Sequence, residues 1–340
     1  ITCRDWSSDV CSSDLEGVEK VRLLKPDLVT MDIEMPRMDG LAALRQIMTT
    51  TPVPVMMISS LTTEGASATL DALDMGAVDF IPKALSYVSL DIVKIKDELL
   101  AKIKDIVRRK AILMSRYHLR ASALVGTRGE SAVAQAARAP LTPAKATQKR
   151  QHAISIVAIG SSTGGPPALQ QVIPRLPRNF PSGIIIAQHM PPMFTKSLAE
   201  RLNSLAQLAV REAVDGEPIE PGTALIAPGG KHLTVKRYGG RVRAVVSVDP
   251  ADTLYHPCVD LTMGSVAETY GGCALGVILT GMGNNGVHGL RQLKLKGGVV
   301  IAQEEQSCVV YGMPRAAVEA GLADIVSPIG TVADEIISFF

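Results

Sequence analysis

The chain has 340 residues, 46% apolar and 20% charged, enough for two ordinary domains with real cores. Aromatics are only 4%, so those cores rest on Val, Ile, Leu, Met and Ala, which suits parallel strands buried on both faces. The net charge is +2, no apolar run is long enough for a membrane span, and the five cysteines (Cys3, Cys11, Cys258, Cys273, Cys308) lack zinc or redox spacing, so membrane insertion and a metal or disulfide scaffold are not expected. No charged-then-apolar secretory signal opens the chain, and a reducing, cytoplasmic location is expected.

Residues 1–14, ITCRDWSSDVCSSD, have no amphipathic period and read as a non-native leader. From there the spacing predicts a helix over 15–24, a buried strand over 27–32 and a helix over 40–48. A strand over 53–60, a helix over 64–76 ending at Gly76, a strand over 77–83 and a helical stretch over 88–114 follow. Strands alternating with helices imply βαβ units and a parallel sheet. Residues 115–152 lose this period and read as a basic, flexible linker, with ten Lys and Arg against one acid over 108–150. Without interleaved aromatics or a binding motif, nucleic acid is not an expected partner. A second domain over 153–340 has strands at 154–160, 183–189, 224–229, 233–237, 242–248, 276–281 and 299–303, with helices at 193–205, 259–270, 286–296 and 314–320. It is read as mostly parallel α/β.

In the first domain, DLVTMDIEMPRMDG puts Asp32 at the carboxyl end of a strand, where ligands of open α/β sheets bind. Ser59 and Lys83 end the next two strands. A carboxylate, a hydroxyl and an ammonium at three strand ends can converge on one phosphoryl group. These residues resemble a response-regulator receiver of flavodoxin-like fold over 15–114. That resemblance makes Asp32 the phospho-acceptor, Ser59 the switch hydroxyl and Lys83 a phosphate contact, with a histidine kinase as phosphodonor. A receiver begins with a strand ending in paired acids that hold Mg²⁺. Here the pattern enters near the second helix, so the first two strands and the metal acids are expected to be missing. Little phosphorylation of Asp32 and an exposed sheet edge follow from that expectation.

In the second domain, AIGSSTGGPPAL is a strand, a Ser-rich turn and a helix start, with Pro166 and Pro167 suited to the first helical turn. Gly164 and Gly165 let the backbone approach a ligand closely. The turn alone also fits an N-cap serine or a phosphate cradle, although neither dinucleotide nor P-loop spacing is present. AQHMPP puts His189 at a second strand end, and VILTGMGNNG is a third strand running into a Gly-rich turn. A serine, a histidine and a carboxamide on three strand-end loops suit nucleophile, base and orienting group.

With IAPGGKH (226–232), HPCVD (256–260) and SCVVYGMPR (307–315), these motifs resemble the catalytic domain of the CheB family, chemotaxis response regulators that are protein-glutamate methylesterases and protein-glutamine glutaminases. The resemblance implies a doubly wound α/β methylesterase domain and a cofactor-free esterase, expected to be a monomer. Methyl-accepting chemotaxis receptors are the implied substrates. It makes Ser162 the nucleophile, His189 the base and the Met282 N–H an oxyanion donor, with Thr163, Gly164 and Gly165 shaping the site. Ser161 stays open as an alternative nucleophile. The family motif has Asp where this chain has Asn285. Asn can accept the imidazole Nδ1–H bond but supplies no charge, and if flipped it forces the wrong tautomer. The corresponding change in a serine protease costs about 10⁴ in turnover. A slow enzyme, a non-catalytic receptor-binding regulator, and recovery of Asp by deamidation at Asn285–Gly286 or through a sequence error are therefore open. The family's unphosphorylated receiver blocks the catalytic face, and a receiver without its first strands is expected to block poorly.

Overall fold

Apolar runs without alternation build both sheets. The structure, a computed structural model, describes residues 14–34, 40–83, 92–115, 117 and 153–340. The expected leader, apart from Asp14, and nearly all of the linker lie outside the described residues.

The first domain runs α1 (Asp14–Leu24), β1 (Val29–Asp32), α2 (Gly40–Thr50), β2 (Val55–Ser59), α3 (Thr63–Met75), β3 (Asp79–Pro82) and α4 (Ile92–Arg108). A further helical segment, α5, covers 110–115. Its strands pair in parallel in the order β1-β2-β3, so β1 is an edge among the described strands. Helix α3 starts where the Thr62 hydroxyl accepts the Gly65 N–H, and it ends where Gly76 takes φ 111°, a left-handed cap that glycine reaches without strain.

The second domain begins with β4 (Ile156–Ser161), α6 (Gly165–Val172), β5 (Gly183–Gln188), α7 (Phe194–Leu205), β6 (Ala209–Glu212) and β7 (Thr223–Ile226). It continues with β8 (His232–Tyr238), β9 (Arg241–Ser247), α8 (Val259–Tyr270), β10 (Ala274–Ile278), α9 (Val287–Leu295), β11 (Val299–Gln303), α10 (Met313–Glu319), β12 (Ile325–Ser327) and α11 (Ile329–Ile337). Seven strands form one parallel sheet in the order β12-β11-β10-β4-β5-β7-β6, and every residue of β4, β5 and β10 is buried. Strand order reverses between β4 and β10. Open α/β sheets bind ligands at such a switch point, outside the carboxyl ends of the strands.

The expected alternation of strands and helices holds, with two differences. Strands β8 and β9 leave the main sheet and form an antiparallel hairpin. The edge strands β6 and β12, of four and three residues, are too short to show a period, and helix α11, although amphipathic with Ile329, Val332, Ala333 and Ile336 buried, was not among the expected helices. No described helix is long and apolar enough to cross a membrane.

The two domains pack together. The Phe80 ring stacks on Phe194 with centroids 4.7 Å apart. Arg201 pairs with Asp71 at 2.7 Å and with Asp74, and Arg109 with Glu305 at 3.2 Å. Leu28, Met56, Val78, Ile106 and Leu113 of the first domain form one buried cluster with Val310 of the second.

Candidate active site

Ser162 follows the last residue of β4, and His189 follows the last residue of β5. The register Ser161↔Gln188 sets these strand ends side by side, and the His189 N–H donates to the Ser161 carbonyl at 3.0 Å. The turn after Ser162 is tight. Gly165 N–H donates to the Ser162 carbonyl at 2.7 Å, and Gly164 has φ 76°. A Cβ at Gly165 would collide with Gln188 Oε1, and one at Gly164 would press on Val309 at 2.5 Å. Both glycines make room for neighbouring side chains of the chain itself. From β10, Gly281 abuts Ser162: a Cβ on Gly281 would lie 2.8 Å from Ser162 Cβ. The next residue is Met282, whose N–H makes no hydrogen bond among the described residues and so is open to an oxyanion.

The structure separates the two serines. Ser161 is fully buried, and its hydroxyl donates to Gln188 Oε1 at 2.6 Å. Gln188 Nε2 in turn donates to the carbonyls of Ser162 (2.9 Å) and His189 (3.1 Å). Ser161 is thus consumed in holding the turn, whereas Ser162 is half-buried and its hydroxyl makes no hydrogen bond among the described residues. The role of Gln188 was not read from the sequence, although it stands in the AQHMPP motif.

His189 Nε2 lies 3.0 Å from Asn285 Oδ1. This corrects the expectation that Nδ1 would meet the orienting group. Oδ1 also accepts the Val259 N–H at 2.7 Å, and Asn285 Nδ2 donates to Asp260 Oδ2 at 2.9 Å and to Cys258 Sγ at 3.3 Å. A fixed backbone donor on one side and a carboxylate on the other leave the amide one orientation. The imidazole proton therefore sits on Nε2, and Nδ1, buried and without a partner among the described residues, keeps the lone pair that a base needs. The ring stacks on Tyr255 at 4.2 Å and 9°.

Burial pushes the His189 pKa down from its ordinary 6.5 to about 4, with a bond from Asn285 opposing and the Lys102 charge assisting. The imidazole is therefore neutral at physiological pH. The sign for stability follows: the unfolded chain takes up this proton near pH 6.5, whereas the fold refuses it down to about pH 4. Stability contributed by the neutral ring is present above pH 6.5 and lost as pH falls to about 4. The loss is at most about 3 kcal/mol. Acid denaturation of a His189→Gln variant, followed by calorimetry, is expected to be correspondingly shallower over that window.

Asn285–Gly286 reads as a flexible step open to deamidation, but the fold ties it down. Gly286 starts α9 by accepting the Leu290 N–H at 2.8 Å, and the Asn285 amide is held on both sides. The folded protein is expected to keep its mass at this peptide over days, which peptide mass spectrometry reads directly.

The first domain covers this site. Asp79 Oδ2 accepts the Thr163 hydroxyl at 3.0 Å and pairs with Lys102 at 2.9 Å, while Met282 and Val309 pack against the interdomain cluster. The elements in contact are α3, β3 and α4. At the far end of the first sheet, Lys83 pairs with Asp32 at 2.8 Å and approaches Glu34 at 3.7 Å. Asp32 and Lys83 meet as expected, but Ser59 does not join them: its buried hydroxyl donates to the Gly65 carbonyl at 3.0 Å. Ser60, bonded to Glu34 Oε1 at 2.6 Å, is the hydroxyl on that side. Among the described residues no group of three His, Cys, Asp or Glu could hold a metal.

The CheB methylesterase family model matches residues 157–336, and the response regulator receiver domain model matches residues 4–92, starting inside the stretch expected to be a leader. The chain is 51% identical over 339 residues to protein-glutamate methylesterase/protein-glutamine glutaminase 1 of Oleidesulfovibrio alaskensis, covering 95% of this chain and 89% of the relative. It is 43% identical over 340 residues to protein-glutamate methylesterase/protein-glutamine glutaminase of Vibrio parahaemolyticus, covering 97% and 90%. The crystal structure of the Thermotoga maritima CheB methylesterase catalytic domain matches with a TM-score of 0.54 at 46% identity, over 56% of this chain and 100% of that one.

Proposed function

Because the chain belongs to the CheB methylesterase family, its activity is hydrolysis of protein glutamyl methyl esters together with protein-glutamine deamidation, and we propose that Ser162, His189 and Asn285 carry it out. The observation that supports this assignment is convergence. Loops after β4, β5 and β10 bring the Ser162 hydroxyl, a neutral imidazole held by Asn285 and the open Met282 N–H to the switch point of one sheet.

The reaction is acyl transfer in two halves. Ser162 Oγ attacks the ester carbonyl carbon as its proton passes to His189 Nδ1. The Met282 N–H stabilises the resulting oxyanion. Collapse expels methoxide, which leaves as methanol with the proton from His189. Water then attacks the acyl-enzyme, gives its proton to His189, and the glutamate carboxylate departs as Ser162 regains its proton. With a glutamine substrate the same sequence releases ammonia. Among the described residues no hydrogen bond yet joins Ser162 Oγ to His189; such contacts tighten when substrate arrives.

The substrates are chemoreceptors, and a histidine kinase is the phosphodonor to the receiver. Thr163 and Met282 are engaged by the receiver in this structure, so its part in this reading is steric: a receptor helix and the docked receiver compete for one face. The non-catalytic reading gains no support from the relatives, which are named as enzymes. Methanol release from methylated receptor membranes tests the assignment, with Ser162→Ala as the reference.

A further inference from the structure

Asp260 lies outside the three groups assigned above, yet it is the only carboxylate among the described residues that bonds the Asn285 side chain. Its two oxygens have separate tasks. Oδ2 accepts Asn285 Nδ2–H at 2.9 Å, and Oδ1 accepts the Gly289 N–H at 2.9 Å, which ties the start of α8 to the start of α9. Both contacts need an acceptor, and an ionised carboxylate is acceptor at both oxygens. On the other side of Asn285 the amide oxygen holds His189 Nε2. The chain of contacts therefore reads carboxylate, amide, imidazole.

We propose that Asp260 is a positioning residue for the esterase reaction. It fixes the Asn285 amide with its oxygen toward His189, and it places one negative charge a single amide away from the imidazolium that forms when Ser162 gives up its proton. No proton leaves the amide. Imidazolium Nε2–H donates to Asn285 Oδ1, Asn285 Nδ2–H donates to Asp260, and charge on one end strengthens the bond at the other. A charge missing at position 285 is thus present one hydrogen bond further out. The inference rests on the assignment of Ser162 and His189 above.

The hydrogen-bond count dictates the experiment. Asp260→Asn has one acceptor and one donor where two acceptors are needed, so it must face either Gly289 N–H or Asn285 Nδ2–H donor to donor. Exchanging the pair, Asp260→Asn with Asn285→Asp, satisfies both Asp260 contacts again, with the Cys258 thiol turning from acceptor to donor. Asp at 285 accepts from Val259 N–H, from His189 and from Asn at 260, whose own oxygen accepts Gly289 N–H. The full chain is assayed for methanol release, with ¹⁵N spectra of the His189 ring as a readout independent of turnover.

Asp260→Asn is expected to lower kcat by roughly 10²-fold with KM little changed, and to populate the Nδ1–H tautomer. The exchanged double variant is expected to recover kcat and the Nε2–H tautomer. Wild-type kcat and tautomer in Asp260→Asn, or a double variant no better than the single one, would overturn the proposal. Where Asp260→Asn does not fold, the double variant decides alone: a folded double variant with neither turnover nor the Nε2–H tautomer overturns it. Release that survives Ser162→Ala would instead sink the assignment of the nucleophile, while the ring spectra would still report on Asp260.

Discussion

Ser162→Ala is expected to reduce methanol release by at least about 10⁴-fold while leaving the melting temperature almost unchanged. The Ser162 hydroxyl makes no hydrogen bond among the described residues, so its loss removes chemistry and little else. Ser161→Ala should do the reverse. It strips a buried donor from Gln188 Oε1, which costs about 1–3 kcal/mol of stability, but it leaves the attacking oxygen in place. Release rates and thermal melts of the two variants, taken side by side, give opposite patterns. Full activity in Ser162→Ala with none in Ser161→Ala would reverse the assignment of the nucleophile.

Loosening the receiver is expected to raise release from the same membranes. Among the contacts that hold the cover are the Phe80–Phe194 stack, the Arg201 pairs with Asp71 and Asp74, and the bond from Thr163 to Asp79. Partly exposed ion pairs contribute at most about 1 kcal/mol each. Charge reversal does more, since Arg201→Glu faces two carboxylates. Trimming the buried Phe80 ring costs about 1–3 kcal/mol, part of which falls on the receiver's own core. A combined Phe80→Leu/Arg201→Glu variant that weakens docking by about 1.4 kcal/mol should release methanol about tenfold faster wherever the covered form dominates. Small-angle scattering supplies the control. An extended variant with an unchanged rate would mean that covering does not limit turnover, and that Thr163 and Met282 are reached some other way. The same opening removes Lys102 from the neighbourhood of His189, so the pKa of the base should rise as the domains part.

Much of this was legible from local pattern. The runs IVAIGS and GIIIAQ are apolar because strands covered on both faces have no solvent side. Their strand-end turns put Ser162 and His189 at the edge where parallel sheets work. Asn285 was legible too, as a neutral residue where an acid is expected. What the sequence could not settle were choices between atoms. Ser161 and Ser162 are neighbours of the same type, and only the register of β4 against β5 turns the first into Gln188 and leaves the second to the site. Which imidazole nitrogen is the base, and which way the Asn285 amide points, depend on Val259 and Asp260, some 25 residues away along the chain. Period and composition report what each residue's own segment requires. The partners of a buried polar atom come from other segments, and strand order and domain packing alone bring them within 3 Å.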